Sequence, residues 1–484
     1  MILWGFLHIF WRFLINRPRE CEFHALPILT FTVQSYTNRG EDFIKGYIFN
    51  METKSIPRLS FFLNVPSFWK KQQRDWKVTV VRTSLERLGY QMIYPYLSIY
   101  IIALGAEKTE LGMITSIGII LAGLLGPVTG HLIDRNGPKK IYIFGIALLM
   151  MSYLTYALAQ NWQVCAVAMI IYYLGQGTGG HSCSTICGNC LVNTDRAKGM
   201  LICESLAAGL LGMVGPMVAA FILVRLMGVS GSPTNANDIR PLFYAPAFVT
   251  FLSLIVVITL LSKRKWASKS NFGSHMLRDG INILKGNRNA QKWLFIGAIN
   301  NLPTGMVLPY CQIFAAEVKG ANVTTLAAMV TAAALTSVLF GYPIGALADK
   351  IGRKKVLYIT IPLFWLSNIL LILAPSPAFL IAAGVLQGFF YIGSPLAATI
   401  QRELVPQEVM GRWLGINRLI TSIFGAGMAL LSGIIYDRLG PQYVFLIFVG
   451  IDMFVRLPLL ISMPETLYYK AKLNAAVQKS SPAN

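Results

Sequence analysis

Long apolar segments alternate with short polar stretches over most of this 484-residue chain. A helix needs about 20 apolar residues to cross the hydrocarbon core of a bilayer. Twelve segments have this character: 78–104, 110–133, 140–160, 163–190, 200–226, 241–262, 293–316, 324–347, 356–375, 378–401, 413–435 and 442–463. The pattern therefore predicts an all-α membrane protein with twelve transmembrane helices.

A polar stretch near the middle of the chain separates six of these segments from the other six. The predicted domains are an N-terminal cytoplasmic or interfacial extension (1–77), a first six-helix bundle (78–262), a cytoplasmic linker (263–292), a second six-helix bundle (293–465) and a cytoplasmic tail (466–484). The sequence leaves the role of residues 1–50 open, with Met51 as an alternative start.

Lysine and arginine are concentrated in alternate loops. One set of loops contains Arg135, Lys139, Lys140, Arg196, Lys198, Lys350, Arg353, Lys354 and Lys355, and the 263–292 stretch adds more. Positively charged loops stay on the cytoplasmic side of a membrane. We therefore expect a multi-pass protein of the plasma or inner membrane with both termini in the cytoplasm.

Composition narrows the class of protein. Apolar residues make up 55% of the chain and charged residues only 13%, about half of the share typical of a soluble domain. The net charge of +21 is spread over loops between apolar segments, which argues against a nucleic-acid partner. We expect the lipid bilayer as the main partner and a monomeric state, and the loops contain no catalytic constellation that would predict an enzyme.

One loop motif occurs at the same place in both halves. Residues 130–140 read GHLIDRNGPKK and residues 345–355 read GALADKIGRKK, so both fit G-x-L-x-D-[RK]-x-G-x-K-K. Glycine permits a tight turn, and an aspartate is favoured near a helix N-terminus. The recurrence in register predicts a duplicated six-helix unit.

This loop resembles the signature of the major facilitator superfamily, and the resemblance extends over about residues 78–465. It implies a secondary transporter that works by alternating access, in which the loop aspartate contacts the start of span five or eleven and latches the outward-open state. The implied gating residues are Gly130, Asp134, Arg135, Gly137, Gly345, Asp349, Gly352 and Arg353. Pro138 departs from the family pattern, which usually has a second arginine there.

Span five carries Gly209, Gly212 and Gly215-Pro216, which is similar to the motif of proton-coupled drug exporters. Small residues there are expected to let helices five and eight pack closely. Span four has Tyr173 where such exporters usually carry an arginine. We therefore expect export of small amphipathic or drug-like compounds in exchange for protons. The alternatives are uptake of a sugar or other neutral solute with protons, and a non-transporting receptor on the same scaffold.

Ionisable side chains inside a membrane are costly and usually have a partner or a function. Arg82 and Glu86 are one helical turn apart, which predicts an ion pair, whereas the alternative is that Glu86 carries a proton during transport. Glu204 is the second proton-coupling candidate. Asp452 and Arg456 have the same spacing and are predicted to form a structural pair.

The resemblance implies a cavity lined by spans one, four, seven and ten. The polar and aromatic candidates for substrate binding on these spans are Tyr90, Gln91, Tyr94, Gln176, His181, Asn300, Asn301, Gln387 and Tyr391. Pro303 and Gly305 predict a break in span seven beside the two asparagines. Cys183, Cys187 and Cys190 have the spacing of some iron–sulfur ligands, but inside a span they are interpreted as packing residues, so no metal or cofactor is predicted.

Overall fold

The computed structural model describes residues 68–191, 203, 208–229, 231–263, 288–405 and 410–466. These residues are helical and contain no β-strand. The predictions for residues 1–67, for most of the linker (264–287) and for the tail beyond residue 466 lie outside the described residues.

The first group of helices begins at Arg74, a few residues before the predicted start of span one. Its members are α1 (Arg74–Ala103), α2 (Lys108–Asn136), α3 (Pro138–Leu158), α4 (Trp162–Cys190), α5 (Ala208–Phe221) and α6 (Ala236–Leu260). Helix α5 continues into a π-helical turn over Ile222–Leu226. Helix α6 opens with a short turn and a 3-10 segment over Arg240–Phe243.

The second group follows the linker. Its members are α7 (Arg288–Asn300), α8 (Leu308–Glu317), α9 (Val323–Ile351), α10 (Arg353–Leu373), α11 (Pro377–Glu403), α12 (Met410–Arg438) and α13 (Pro441–Ile461). A π-helical turn over Pro303–Val307 separates α7 from α8, which confirms the predicted break in span seven. Proline lacks the N–H that a regular helix needs there.

Nine segments of the described chain are long and apolar enough to cross a membrane: α2, α3, α5 with its π turn, α6 and α9 to α13. Large apolar side chains such as Phe454, Leu226 and Leu373 are exposed on their outer surfaces. A membrane supplies the apolar surroundings that such surfaces require. Helices α1 and α4, with 30 and 29 residues, have the length but not the hydropathy.

Single glycines reverse the chain between α2 and α3 and between α9 and α10. Gly137 has φ +85° and Gly352 has φ +111°, a backbone conformation that residues other than glycine rarely adopt. Each glycine is the C-cap of one helix and the N-cap of the next. Gly137 and Gly352 therefore have the same structural role, which is to form the turn between two consecutive helices.

A lysine of each loop motif binds the end of another helix in the same group. Lys139 Nζ donates to the carbonyls of Ile258 (2.9 Å) and Leu261 (2.5 Å) at the end of α6. Lys354 Nζ donates to the carbonyls of Ile461 (2.8 Å) and Met463 (2.5 Å) at the end of α13. A cation is favoured there because the last carbonyls of a helix lack partners and carry partial negative charge.

A serine bond is also repeated. Ser152 Oγ of α3 donates to the carbonyl of Ala168 on α4 at 2.7 Å. Ser367 Oγ of α10 donates to the carbonyl of Ala383 on α11, also at 2.7 Å. The first and second helices after each basic loop are thus joined in the same way in both groups.

The two groups contact each other closely along α2 and α12. A Cβ atom at Gly112 would lie 2.5 Å from the carbonyl oxygen of Ala429, and one at Gly433 would lie 2.5 Å from that of Lys108. Glycine is required at both positions because the backbones approach within contact distance.

The end of the molecule opposite the basic loops is held by polar contacts between the two groups. The Thr109 N–H and hydroxyl donate to Asp437 Oδ2 at 2.8 and 2.7 Å. Tyr96 donates to the carbonyl of Val323 at 3.0 Å, and Tyr310 donates to that of Lys108 at 3.0 Å. We call this region the closed end.

Candidate functional site

Five tyrosines lie midway along α1, α4 and α11, and we call them the aromatic cluster: Tyr90, Tyr94, Tyr172, Tyr173 and Tyr391. Tyr90 stacks on Tyr172 with ring centroids 5.5 Å apart and lies 5.6 Å from Tyr94. Tyr391 of α11 lies beside Tyr94 of α1, so the cluster contains residues of both groups of helices. Tyr90 and Tyr94 share one face of α1 because they are one turn apart.

A polar network connects the aromatic cluster to a buried ion pair. Arg82 and Glu86 form the predicted pair within α1. Gln176 of α4 donates to Glu86 Oε1 at 2.6 Å and to the Tyr172 hydroxyl at 2.9 Å. Since Tyr172 stacks on Tyr90, the Glu86 carboxylate is connected to the rings through two hydrogen bonds, both donated by Gln176.

The arginine of this ion pair packs against the face of an aromatic ring. The Arg82 guanidinium lies 4.7 Å above the Tyr142 ring of α3, where a cation–π interaction stabilises it. A Cβ at Gly179 would lie 3.0 Å from an Arg82 nitrogen, so glycine makes room for the guanidinium on α4. Arg82 is buried, and the Glu86 side chain is 13% exposed.

Gln91, another of the cavity candidates on α1, lies against α5. A Cβ at Gly212 would lie 3.5 Å from Gln91 Cγ, and one at Gly215 would lie 2.8 Å from the carbonyl oxygen of Leu88. The glycines of span five thus pack mainly on α1, while Gly209 alone of these three faces Val338 on α9. The expected close packing of spans five and eight, which are α5 and α9, is therefore only one of the contacts that these glycines make.

The asparagines beside the break in span seven are engaged by other helices. Asn300 Oδ1 accepts from Arg456 Nη1 at 2.6 Å, and Arg456 pairs with Asp452 at 2.6 Å. Asn301 Nδ2 donates to the carbonyl of Thr421 on α12 at 3.4 Å. The structure thus uses both amides to attach α7 to the last two helices, which the sequence pattern did not indicate. The predicted Asp452–Arg456 pair is confirmed.

Gln387 of α11 is buried, and its amide lies 3.8 Å from Cys311 Sγ of α8. Next to Cys311, the Gln312 side chain is also buried, and neither of its amide atoms has a hydrogen-bond partner among the described residues. Sequence reasoning missed Gln312, although a glutamine in an otherwise apolar run is a recognisable signal.

Arg87 was also not among the candidates that the sequence indicated. Its side chain is exposed at mid-span on α1, next to Gly212 of α5, and it interacts electrostatically with Tyr90 and Tyr391. An arginine at membrane depth is tolerated where it faces a cavity or a polar partner. Arg87 therefore adds a positive charge beside the aromatic cluster.

The predicted gating residues Asp349 and Arg353 of the second loop form a small ionic network with two glutamates. Arg353 binds Asp349 at 3.2 Å and Glu403, at the end of α11, at 3.0 Å. The Glu465 carboxylate accepts the Arg353 N–H at 3.0 Å and lies against Gly352. Glu403 and Glu465 were not among the sequence candidates because they are distant from the motif in the chain. Gly345 lies on α9 one turn before Asp349.

The first loop is described in less detail. Arg135 is exposed and Gly137 makes the turn. Gly130, the Asp134 side chain and the His181 side chain lie outside what the structure describes, as does Glu204. The predictions for these four residues are therefore not addressed by the geometry.

Apolar outer surfaces, a polar and aromatic interior and motif-bearing loops define a multi-pass membrane transporter of small molecules. The sequence matches the family model of the Major Facilitator Superfamily over residues 83–301 and 293–472. The chain belongs to this superfamily.

Its relatives include proteins named as multidrug resistance proteins. The chain is 24% identical to "Multidrug resistance protein MdtG" of Salmonella schwarzengrund (strain CVM19633) over 406 residues, which is 81% of this chain and 95% of that protein. The protein of the same name from Escherichia coli (strain K12 / DH10B) is 24% identical over 415 residues, covering 81% of this chain and 94% of that protein.

Solved structures share the fold. The D-xylose–proton symporter has a TM-score of 0.64 at 14% identity, covering 81% of this chain and 98% of the symporter. The nucleoside transporter NupG has a TM-score of 0.61 at 14% identity, covering 80% of this chain and all of NupG (100%). At this identity the likeness concerns the fold alone.

Proposed function

We propose that the protein exports small amphipathic or drug-like compounds by alternating access, in exchange for protons. The observation that carries the proposal is the Glu86–Gln176–Tyr172 network. It links a carboxylate at membrane depth, the chemical group that proton coupling requires, to aromatic rings suited to amphipathic substrates. The similarity to proteins named as multidrug resistance proteins supports the same direction of transport.

The architecture proposed is twelve membrane-spanning helices in two six-helix repeats. Helices α1 and α4 and the α7–α8 pair would complete the count. Their polar side chains lower their hydropathy because they line the cavity instead of facing lipid. The equivalent bonds of Lys139 and Lys354, and of Ser152 and Ser367, support the repeat.

The basic loops would lie in the cytoplasm of a plasma or inner membrane, as the distribution of lysine and arginine favours. The closed end is then the outer face, and the structure corresponds to an inward-facing state. The Asp349–Arg353–Glu403 network at the opposite face would tighten when that side closes. Asp134 and Arg135 would play the matching part in the first half.

Substrate recognition is assigned to Tyr90, Tyr94 and Tyr391, with Gln91, Gln176 and Arg87 at the margins. Aromatic faces bind apolar and planar groups with little dependence on their identity. The rings are joined to hydroxyl and amide groups, which suits compounds with one polar end. Arg87 favours substrates that do not present a cation at that position.

The coupling step proposed is protonation of Glu86. A neutral carboxyl loses the ion pair with Arg82 and its charge-assisted hydrogen bond from Gln176. The Gln176 amide is then free to turn towards Tyr172 or the substrate. Proton and substrate would in this way compete for one network, as antiport requires. Glu204 stays a second candidate for the same role.

A second candidate function is uptake of a sugar or other neutral solute together with protons. The observation in its favour is Tyr173, which stands where exporters of this kind usually have an arginine. A Cβ at Gly118 would overlap the Tyr173 ring, so the position is filled by packing and not by a charge. The Gln312 amide, which is buried and has no hydrogen-bond partner among the described residues, also suits a hydroxyl-rich solute.

The test uses purified protein in liposomes with a pH gradient and an internal pH dye. A lipophilic cation, a lipophilic anion and a sugar are added in turn. Proton movement towards the side to which either lipophilic compound is added supports exchange. Protons that move together with the sugar support the uptake symporter and overturn the export proposal, and so does an unresponsive panel in the presence of active protein.

The Glu86→Gln variant tests the coupling step. We expect substrate-dependent proton movement to be lost while the variant still reaches the membrane and binds substrate. The matched control is Glu107→Gln, an exposed carboxylate at the start of α2, which should behave like the wild type. Normal proton movement in Glu86→Gln would remove Glu86 from the mechanism.

A further inference from the structure

Three buried thiols meet near the basic end of the first helical group. Cys183 and Cys187 lie one turn apart on α4, and Cys203 precedes α5 in the chain. Their sulfur atoms all lie within 4.8 Å of one another, and the Cys187 and Cys203 sulfurs are 3.9 Å apart. The three residues are 7%, 2% and 0% exposed. The third thiol of the group is thus Cys203. Cys190, which is the third cysteine of the sequence pattern, does not belong to the group.

We propose that Cys183, Cys187 and Cys203 form a binding site for a trivalent thiophilic centre of the arsenic(III) or antimony(III) type. Sulfurs bonded at about 2.3 Å to one common atom lie roughly 3.5 to 4.0 Å apart, depending on how flat the centre is. The 3.9 Å separation of two of the sulfurs is already in this range. Thiolates are soft ligands and select soft centres over hard ones.

Charge distinguishes this centre from other soft ions. Three thiolates neutralise a trivalent centre, whereas they would leave a net charge of −1 with a divalent ion and −2 with a monovalent one. Burying an uncompensated charge is expensive. Within the described part of the chain, Arg82 interacts with Cys183 and is already paired with Glu86. A neutral complex therefore fits the surroundings best.

The binding step needs no oxidant and changes no charge. Arsenous acid, As(OH)₃, exchanges its three hydroxyl groups for three thiols, so three As–S bonds form and three water molecules leave. The six cysteines of the described chain carry free thiols, which is the form this exchange requires.

The site would tie two segments of the chain together. Thr83 of α1 places its hydroxyl 3.5 Å from the Cys183 sulfur and 3.8 Å from the Cys203 sulfur. A centre bound by the three thiols would link α4 to the chain at Cys203 beside α1. We expect it to raise the thermal stability of the protein and to slow the movement of these helices. This inference rests on the thiols alone and does not depend on the proposed transport function.

The test uses the full-length protein in detergent, reduced with a phosphine because dithiols compete for arsenic. Arsenite is titrated, free arsenic is removed by gel filtration, and bound arsenic is measured by mass spectrometry. We expect about one arsenic per chain, a higher melting temperature and X-ray absorption from an arsenic atom with three sulfur neighbours. Two sulfur neighbours, or a stoichiometry near zero, would overturn the proposal.

Variants locate the site. Cys187→Ser and Cys203→Ser should each lose bound arsenic and the rise in melting temperature. Cys165→Ser and Cys311→Ser, both buried cysteines on α4 and α8, should keep them, and so should Cys190→Ser. Loss of binding in Cys190→Ser with retention in Cys203→Ser would contradict the assignment. If a serine variant does not fold, the number of sulfur neighbours in the wild-type protein decides.

Discussion

Glu86 and Asp452 are both acids with an arginine one helical turn away, yet their surroundings differ. Asp452 is 0% exposed and is held by Arg456 and by the Trp365 indole N–H at 2.5 Å. Glu86 retains some exposure and shares its carboxylate with Gln176. The first arrangement is suited to stability, and the second is suited to exchanging partners.

The sequence predicts these pairs because four-residue spacing places both partners on one helix face. It does not predict that Gln176 joins Glu86 or that Arg456 binds Asn300, since such bonds depend on how separate helices are rotated. Asn300 was for this reason expected in the cavity, and only its contact with α13 shows its packing role.

Asp452→Asn should destabilise the protein markedly. It leaves the buried Arg456 without its counter-charge, and breaking a buried pair costs about 3–5 kcal/mol. We expect a clear fall in the melting temperature in detergent. The double variant Asp452→Asn/Arg456→Gln, which removes both charges, should melt above the single variant. Equal melting of the single variant and the wild type would show that the pair contributes nothing.

Tyr90→Leu should weaken binding of aromatic amphipathic substrates. Loss of an aromatic contact between the Tyr90 ring and the substrate removes about 0.5–1.5 kcal/mol of binding free energy, which corresponds to a rise of about twofold to tenfold in Kd. Tyr90→Phe retains the ring and should bind normally. Tyr443→Leu, an exposed tyrosine on α13, is the control away from the site. An unchanged Kd in Tyr90→Leu would exclude the cluster from binding.

At the scale of the helices, the apolar segments predict where helices occur, and the Pro303–Gly305 pattern predicts the break in span seven. The π turns after α5 and within α13 are not predictable in this way, because they depend on tertiary packing that local sequence does not encode. The glycines of α5 could be recognised as packing residues, but not that two of them face α1.

Gly215→Ala tests the contact between α1 and α5. The new methyl group would lie 2.8 Å from the carbonyl oxygen of Leu88, so the two helices must separate, and overpacking of this kind costs about 1–3 kcal/mol. We expect lower thermal stability and slower transport. Gly450→Ala on α13 has open space at this position and should resemble the wild type. Unimpaired transport and stability in Gly215→Ala would mean that the close approach is dispensable.

At the scale of the whole molecule, the duplicated loop motif predicts two related halves, but not which face of the molecule is closed. The contacts of Thr109 with Asp437 and of Tyr96 with Val323 join residues far apart in the chain. These contacts are formed in one conformation of the protein, and the sequence pattern does not indicate which conformation that is.

Asp437→Ala should loosen the closed end. The substitution removes two charge-assisted hydrogen bonds to Thr109, which contribute about 1–3 kcal/mol together at an exposed site. We expect the population with this end open to rise by about fivefold or more. Spin labels at Glu107→Cys and Val318→Cys would report a longer distance by pulsed electron resonance. Asp238→Ala, on α6 at the same end, is the control, and identical distance distributions in Asp437→Ala and wild type would contradict the assignment.

Gly137 and Gly352 are single-residue connections at the points where the chain reverses direction. With one residue between α2 and α3, or between α9 and α10, neither helix of a pair can tilt without carrying the other. Each pair therefore behaves as a stiff hairpin, and the lysine just beyond the glycine couples it to the last helix of its group. Inserting a single extra residue after either glycine would disconnect that linkage while leaving every helix intact.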